Sequence, residues 1–255
     1  MKERLFRFKQ FSVSHKDSAM KVGVDGVLTG AWASVEGKRI LDAGCGCGLI
    51  ALMMAQRAPE SIITAIDVDR PSVMEARRNV GLSPWPDRIS VEEISFDALP
   101  GKFDHIVSNP PFFDSGISAP STAREISRHQ GTLSPNSLIA KAPLMLNPGG
   151  LLTLIAPAEM ADKLKTAAHE RGMELRRVCY VRDNPSAQEK RVLMELMFGR
   201  EGFPVKIDSG EATLYENKDI GHSAETREEH LILFDSSGVP SEAYRCLCSP
   251  FYLKF

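Results

Sequence analysis

Arg39-Ile40-Leu41-Asp42 runs directly into Ala43-Gly44-Cys45-Gly46-Cys47-Gly48 and then into the apolar stretch Leu49–Arg57. A short apolar run, a turn with glycine at alternate positions and an apolar helical segment constrain the fold more than any other feature of the chain. Alternating glycines permit a tight turn and let the backbone approach a ligand, and the helix that follows offers unpaired N–H groups at its start. Gly44, Gly46 and Gly48 are spaced more tightly than the G-x-G-x-x-G of dinucleotide enzymes, which favours a nucleotide-like cofactor without a pyrophosphate. Asp42, at the end of the strand, is placed to meet an ammonium group of such a cofactor, directly or through water.

The same alternation continues downstream. Ile62–Asp67 reads as a second buried strand, followed by a helix through Val73, Ala76 and Val80 that stops at Gly81. Ile89-Ser90-Val91 is a third strand and Phe103–Ser108 a fourth. Ser134-Pro135 is a helix start, a capping hydroxyl followed by proline at the first helical position. A fifth strand over 151–156 and a helix over 159–171, stopped by Gly172, follow. Strands at 175–181 and 192–198 are joined by a loop, which predicts an antiparallel pair at the sheet edge. Alternating short strands and helices predict an α/β fold, a doubly wound, seven-stranded, mostly parallel sheet. One domain is expected, with a core over 39–200 and packed extensions over 1–38 and 201–255. Phe6, Phe8, Phe11, Phe251, Tyr252 and Phe255 make both extensions too apolar to be free tails.

Two further acids fall where a cofactor needs them. Asp67 ends the second strand about twenty residues after the turn, where a carboxylate accepts both hydroxyls of a ribose. Asp69 competes for that role but lies past the strand end. Asp97, in Ser95-Phe96-Asp97-Ala98, precedes the fourth strand and is a candidate acceptor from an adenine amino group, or simply an exposed loop acid.

The fourth strand leads into Asn109-Pro110-Pro111-Phe112. A planar amine that attacks an electrophilic methyl must give up conjugation and face that methyl in line. The Asn109 side-chain oxygen can accept one amino proton and the Pro110 carbonyl the other, orienting the nitrogen. Pro110 and Pro111 stiffen the loop and supply no competing N–H donors. Phe112 offers a face for stacking a planar group. A glycine turn that holds a nucleotide-like cofactor, followed by this loop, points to methyl transfer from S-adenosylmethionine to an sp² nitrogen.

Composition excludes several classes. No apolar run approaches a membrane-spanning length, and the charged start Met1-Lys2-Glu3-Arg4-Leu5-Phe6-Arg7 lacks the apolar stretch of a secretion signal. Five cysteines, an odd number, do not suggest a disulfide scaffold and fit a reducing cytoplasm. Cys45 and Cys47 sit between turn glycines and Cys246 and Cys248 flank Leu247, so no metal site is expected. The net charge of −2 is not that of a general nucleic-acid binder. Basic residues nevertheless gather over 1–25 (Lys2, Arg4, Arg7, Lys9, Lys16, Lys21) and over 160–191, while 201–235 is acidic.

Taken together, the chain resembles class I methyltransferases with the Asn-Pro-Pro-aromatic signature of amino-group methylation. More closely, it is similar to the bacterial tRNA N6-adenine methyltransferases that modify the purine beside the anticodon of valine tRNA. The resemblance rests on Phe6-Arg7-Phe8-Lys9-Gln10-Phe11, on Met20 through Leu28, on Asp42 through Arg57, on Asn109-Pro110-Pro111-Phe112-Phe113 and on the ending Phe251-Tyr252-Leu253-Lys254-Phe255. It implies a flipped adenine in a tRNA anticodon loop as substrate, whereas the residues alone specify only an sp² nitrogen. Arg124, Arg128, His129 and the basic N-terminal segment are candidate phosphate contacts, with Phe6, Phe8 and Phe11 read as core. Val24 stands where the family pattern has threonine, and Cys45 and Cys47 replace small or hydroxyl residues. Two other functions compete: methylation of a protein glutamine amide, and RNA binding without catalysis on a methyltransferase fold.

Overall fold

The computed structural model describes residues 5–18, 20–112, 133–199 and 226–255. Lys2, Arg4, Phe113, Arg124, Arg128, His129 and most of the acidic 201–235 stretch lie outside the described residues.

The strands are β1 (Leu5–Arg7), β2 (Ser12–Ser14), β3 (Arg39–Ala43), β4 (Ile62–Asp67), β5 (Ile89–Glu93), β6 (Phe103–Ser108), β7 (Leu146–Pro157), β8 (Met173–Arg182), β9 (Glu189–Phe198) and β10 (Arg227–Ile232). The helices are α1 (Val24–Trp32), α2 (Leu49–Arg57), α3 (Arg70–Gly81), α4 (Pro135–Met145), α5 (Ala161–Glu170) and α6 (Glu242–Cys248). One sheet has the order β10-β8-β9-β7-β6-β3-β4-β5. Only β9 runs against its neighbours; the other pairings in that sheet are parallel.

Both faces of this sheet are covered, which is why its strands read as continuous apolar runs and not as alternation. Ile40, Ile63 and Val107 face a core shared with α1, α2 and α6, while Leu41, Ala43, Ile66 and Ile106 face a second core built with α4 and α5. Helix α2 is buried from Leu49 through Ala55, consistent with a segment that is apolar all round. Helix α4 begins as expected. The Ser137 N–H donates to Ser134 Oγ (3.1 Å) and the Ser134 N–H donates back to Ser137 Oγ (2.7 Å), a capping box with Pro135 at the first helical position.

The doubly wound α/β class stands, with four differences of detail. The sheet has eight strands, because β10 from the C-terminal region pairs parallel to β8. The antiparallel β8–β9 pair is therefore not the edge. Strand β7 starts at Leu146 and continues through Asn147-Pro148-Gly149-Gly150, five residues before the expected start. The segment expected as one helix over 159–171 is a 3₁₀ turn, Ala158–Met160, followed by α5. Finally, β1 and β2 form a hairpin that the sequence pattern did not signal. It packs as expected of its aromatics: Phe8 and Phe11 are buried, and Phe8 bridges to Tyr252 near the C-terminus.

Candidate active site

Strand β3 is the centre of the sheet's topology. The chain moves outward from it through β4 to β5 on one side, and through β6 to β7 on the other. Ligands of open α/β sheets bind at the carboxyl ends of the strands where the order reverses in this way. Asp42 lies in register with Val107 of β6, so the glycine turn after β3 and the Asn109 loop after β6 leave the sheet side by side.

Asp42 is fully buried. Its Oδ2 accepts from the Ala51 N–H in the first turn of α2 (2.9 Å), whereas Oδ1 has no protein partner. Burial pushes its pKa up to about 7; the Ala51 N–H opposes this and the charge of Asp67 adds to it. The turn itself needs glycine for two different reasons. Gly48 has φ +83 at the head of α2, and a Cβ there would lie 3.3 Å from Ala76 Cβ on α3. Gly46, with φ +52, has open space where a Cβ would sit, so there the backbone angle alone calls for glycine.

Asp67 accepts from the Gly46 N–H at Oδ2 (2.8 Å) and from the Asp69 N–H at Oδ1 (2.9 Å). Each carboxylate oxygen has a second lone pair, so both remain able to accept from a diol. Desolvation raises the Asp67 pKa, and these backbone donors oppose it. Asp69, the competing acid, is the N-cap of α3: its Oδ2 accepts from the Ser72 N–H (3.0 Å) and Ser72 Oγ (2.6 Å). The Asp97 loop is tied next to this cluster by the Ile94 N–H donating to the Asp67 carbonyl (3.1 Å). The Asp97 carboxylate itself is exposed and pairs with Lys141 of α4 at 3.4 Å.

On the acceptor side, Asn109 is half-buried and its Oδ1 is buried without a partner. Pro110 is buried, while Pro111 and Phe112 are half-buried. Phe112 packs against both cores, which anchors the loop. Helix α1 closes the gap between the two loops. A Cβ at Gly26 would lie 3.1 Å from Leu49 Cδ2 and 3.8 Å from Asn109 Nδ2. Gly26 therefore sits between the first residue of the cofactor helix and the acceptor asparagine.

The residues leave one acceptor open for a cationic cofactor and another for a planar amine. A buried carboxylate oxygen (Asp42) and a buried amide oxygen (Asn109) both lack the partners that buried acceptors ordinarily have. A ligand carrying an ammonium group, and beside it a planar amine, would satisfy both. Cys45 and Cys47 are buried and their thiols are pushed up in pKa, Cys47 to about 12, chiefly by desolvation. No group of metal-ligating side chains occurs among the described residues.

The two basic clusters are unlike each other. Over 160–191, Arg176 pairs with Glu36, Arg177 with Glu229, Lys190 with Asp183 and Arg191 with Asp25. Much of that charge is thus neutralised internally. Near the N-terminus, Arg7, Lys9 and Lys16 are exposed. Sequence reasoning missed Glu75 and Asn79 altogether, and reached Gly26 only within the Met20–Leu28 stretch that carries the resemblance. The available signal for the first two was a pair of polar residues four apart on the α3 face that also carries Ala76 and Val80.

Residues 11–170 match the methyltransferase small domain. The chain is 44% identical over 206 residues to the tRNA1(Val) (adenine(37)-N6)-methyltransferase of Bacteroides thetaiotaomicron, covering 79% of this chain and 87% of that one. It is 40% identical to the protein of the same name from Aeromonas hydrophila, covering 98% of this chain and 97% of that one. Among solved structures, the T. thermophilus 16S rRNA N2 G1207 methyltransferase, in complex with AdoMet and guanosine, has a TM-score of 0.53 at 19% identity. That match covers 77% of this chain and 50% of that one. A protein from Agrobacterium tumefaciens described as a predicted O-methyltransferase reaches 0.58 at 18% identity, covering 89% of this chain and 96% of that one. At such identities these two structures speak to the fold.

Proposed function

Because the chain belongs to the methyltransferase small domain family, among the tRNA1(Val) (adenine(37)-N6)-methyltransferases, we propose that its substrate is an adenine beside the anticodon in the loop of valine tRNA. The enzyme is an S-adenosylmethionine-dependent tRNA adenine-N6 methyltransferase, and the observation that carries its chemistry is the unpartnered Asn109 Oδ1 beside the glycine turn. S-adenosylmethionine supplies an electrophilic methyl on a sulfonium when bound.

The chain's own residues do the rest. Asp42 Oδ1 would take the ammonium of the methionine part and Asp67 the ribose hydroxyls, while Gly44, Gly46 and Gly48, whose N–H groups donate to the Ile66 carbonyl, Asp67 Oδ2 and the Cys45 carbonyl, would shape the turn that the cofactor lies against. Asp97 would accept from the cofactor's adenine amino group. Asn109 Oδ1 and the Pro110 carbonyl would accept the two hydrogens of the target N6. They would stabilise the positive charge that develops on N6 as it takes the methyl, whose bond to sulfur breaks to leave a neutral thioether, before N6 loses one proton to solvent. Phe112 would stack on the flipped base. A loop base is reached without melting a duplex, which lowers the flipping cost. Among the described residues no helix is long and apolar enough to cross a membrane.

The experiment is nucleoside mass spectrometry of unmodified tRNA after incubation with the protein and methyl-labelled cofactor, with binding followed as salt is raised. N6-methyladenosine confined to the anticodon loop of valine tRNA, with affinity that falls as salt rises, is the expected result. Label in a protein glutamine, or none in tRNA, would overturn the assignment.

A further inference from the structure

Glu75 of α3 is fully buried, yet among the described residues no cation is paired with it. Its carboxylate instead accepts from Ser14 Oγ (2.8 Å) and from the backbone N–H groups of Lys16 (2.7 Å), Asp17 (3.1 Å) and Ser18 (2.8 Å). Four donors from one short segment converge on one side chain. One turn farther along α3, Asn79 holds the same segment: its Oδ1 accepts from the Ser14 N–H (2.9 Å) and its Nδ2 donates to the Ser14 carbonyl (2.8 Å). That Nδ2 also donates to the carbonyl of Cys47, inside the glycine turn (2.8 Å).

From residues 14–18 the connection continues to α1. The Val22 N–H donates to His15 Nδ1 (2.8 Å), Lys21 Nζ donates to the carbonyls of Lys16 (2.9 Å) and Ser18 (2.8 Å), and Ser18 Oγ donates to the Met20 carbonyl (2.8 Å). Helix α1 then carries Gly26 to the contact between Leu49 and Asn109. At one end of this path lies the glycine turn, at the other the acceptor asparagine.

We propose that residues 14–18 form a strap that sets the acceptor asparagine against the cofactor turn, with Glu75 and Asn79 as its positioning residues. The inference rests on the methyltransferase reading above and adds to it a pair of residues that touch neither cofactor nor base. Glu75 fastens the strap alone, while Asn79 fastens the strap and the cofactor turn together. The two therefore differ in what their loss disturbs. A buried anion held by backbone N–H groups suits a positioning role, since those donors fix the course of the main chain itself.

The test uses the full chain with Glu75→Gln, Asn79→Leu and the milder Ser14→Ala. Cofactor affinity and the number of binding sites come from calorimetry, and single-turnover methylation of unmodified tRNA is measured at saturating cofactor and tRNA. Glu75→Gln is expected to keep cofactor affinity within about threefold and to lower the rate per cofactor site by about tenfold or more, as a misplacement near one ångström does. Asn79→Leu is expected to weaken cofactor binding by about tenfold as well, and Ser14→Ala to follow Glu75→Gln with a smaller effect. A purely architectural role predicts losses that track the folded fraction in every variant. Rates per cofactor site within about twofold of the unsubstituted protein in Glu75→Gln and Ser14→Ala would overturn the strap. Should the unsubstituted protein bind cofactor but fail to methylate tRNA, the substrate assignment falls instead, and the calorimetry of Asn79→Leu still decides the link to the turn.

Discussion

The backbone N–H of Gly46 donates to Oδ2 of Asp67 at 2.8 Å, so the glycine turn and the carboxylate at the end of β4 form a single unit. A substitution at Asp67 therefore removes a ribose acceptor and loosens the turn at once. Asp67→Ala should weaken S-adenosylmethionine binding by about 1.5–3 kcal/mol through loss of charge-assisted hydrogen bonds. Titration calorimetry measures this, and unchanged affinity would remove Asp67 from the cofactor site.

Asp42 makes cofactor binding depend on pH. Its pKa in the fold is about 7, raised first by burial, against about 3.9 for an ordinary aspartate. The folded state thus prefers the protonated form. The resulting contribution to stability is complete below the ordinary value, declines as pH rises and is lost above about 7. A cofactor with a positive charge selects the ionised form, so affinity should increase between about pH 6 and 8 with release of a proton on binding. Calorimetry in buffers of different ionisation enthalpy counts that proton. Asp42→Asn should abolish the release. If release persists, Asp42 is not its source.

Asn109→Ala should leave cofactor binding nearly intact and lower the single-turnover rate strongly, because one oriented acceptor in a water-poor site contributes about 2–4 kcal/mol at the transition state. Phe112→Ala should act on tRNA binding as well, by about 1–3 kcal/mol, through lost stacking. Phe112 also packs against both cores, so some loss of stability accompanies it. Near-normal turnover in Asn109→Ala would take this loop out of the mechanism.

Glu195 predicts a stability effect separate from the chemistry. It is fully buried on β9 and accepts from the Ser34 N–H (3.0 Å), Ser34 Oγ (2.9 Å) and Thr153 Oγ1 (3.2 Å), with Arg177 at 3.8 Å. Thr153 Oγ1 lies 2.8 Å from Nε2 of His105, which burial keeps neutral with a pKa of about 4. Glu195→Ala strands these groups and should cost about 3–5 kcal/mol in urea unfolding. His105 lies four residues before Asn109 on β6, about 13 Å at the rise of a strand. Turnover per folded molecule should therefore hold. A proportionate fall in turnover of the folded protein would show that this network reaches the active site.

What the sequence determined by itself was everything carried by neighbouring residues. The Asp42–Gly48 turn, the Ser134-Pro135 cap and the Asn109 loop are each written in consecutive positions. A turn, a helix start or a stiff loop is a local conformational preference, and its residues act on their own backbone. The doubly wound order followed from strands and helices in alternation. Only the tertiary structure decided which distant groups meet. Glu75 and Ser14 are 61 positions apart and Asn79 and Cys47 are 32 apart; no period or spacing marks such pairs. Strand β10 joins β8 across a sequence gap for the same reason, and it converts an expected edge pair into an interior one. Even Asp97, which precedes β6 as expected, has its ion-pair partner, Lys141, on a distant helix. Burial and pairing belong to the packed molecule, because they depend on what the rest of the chain brings alongside.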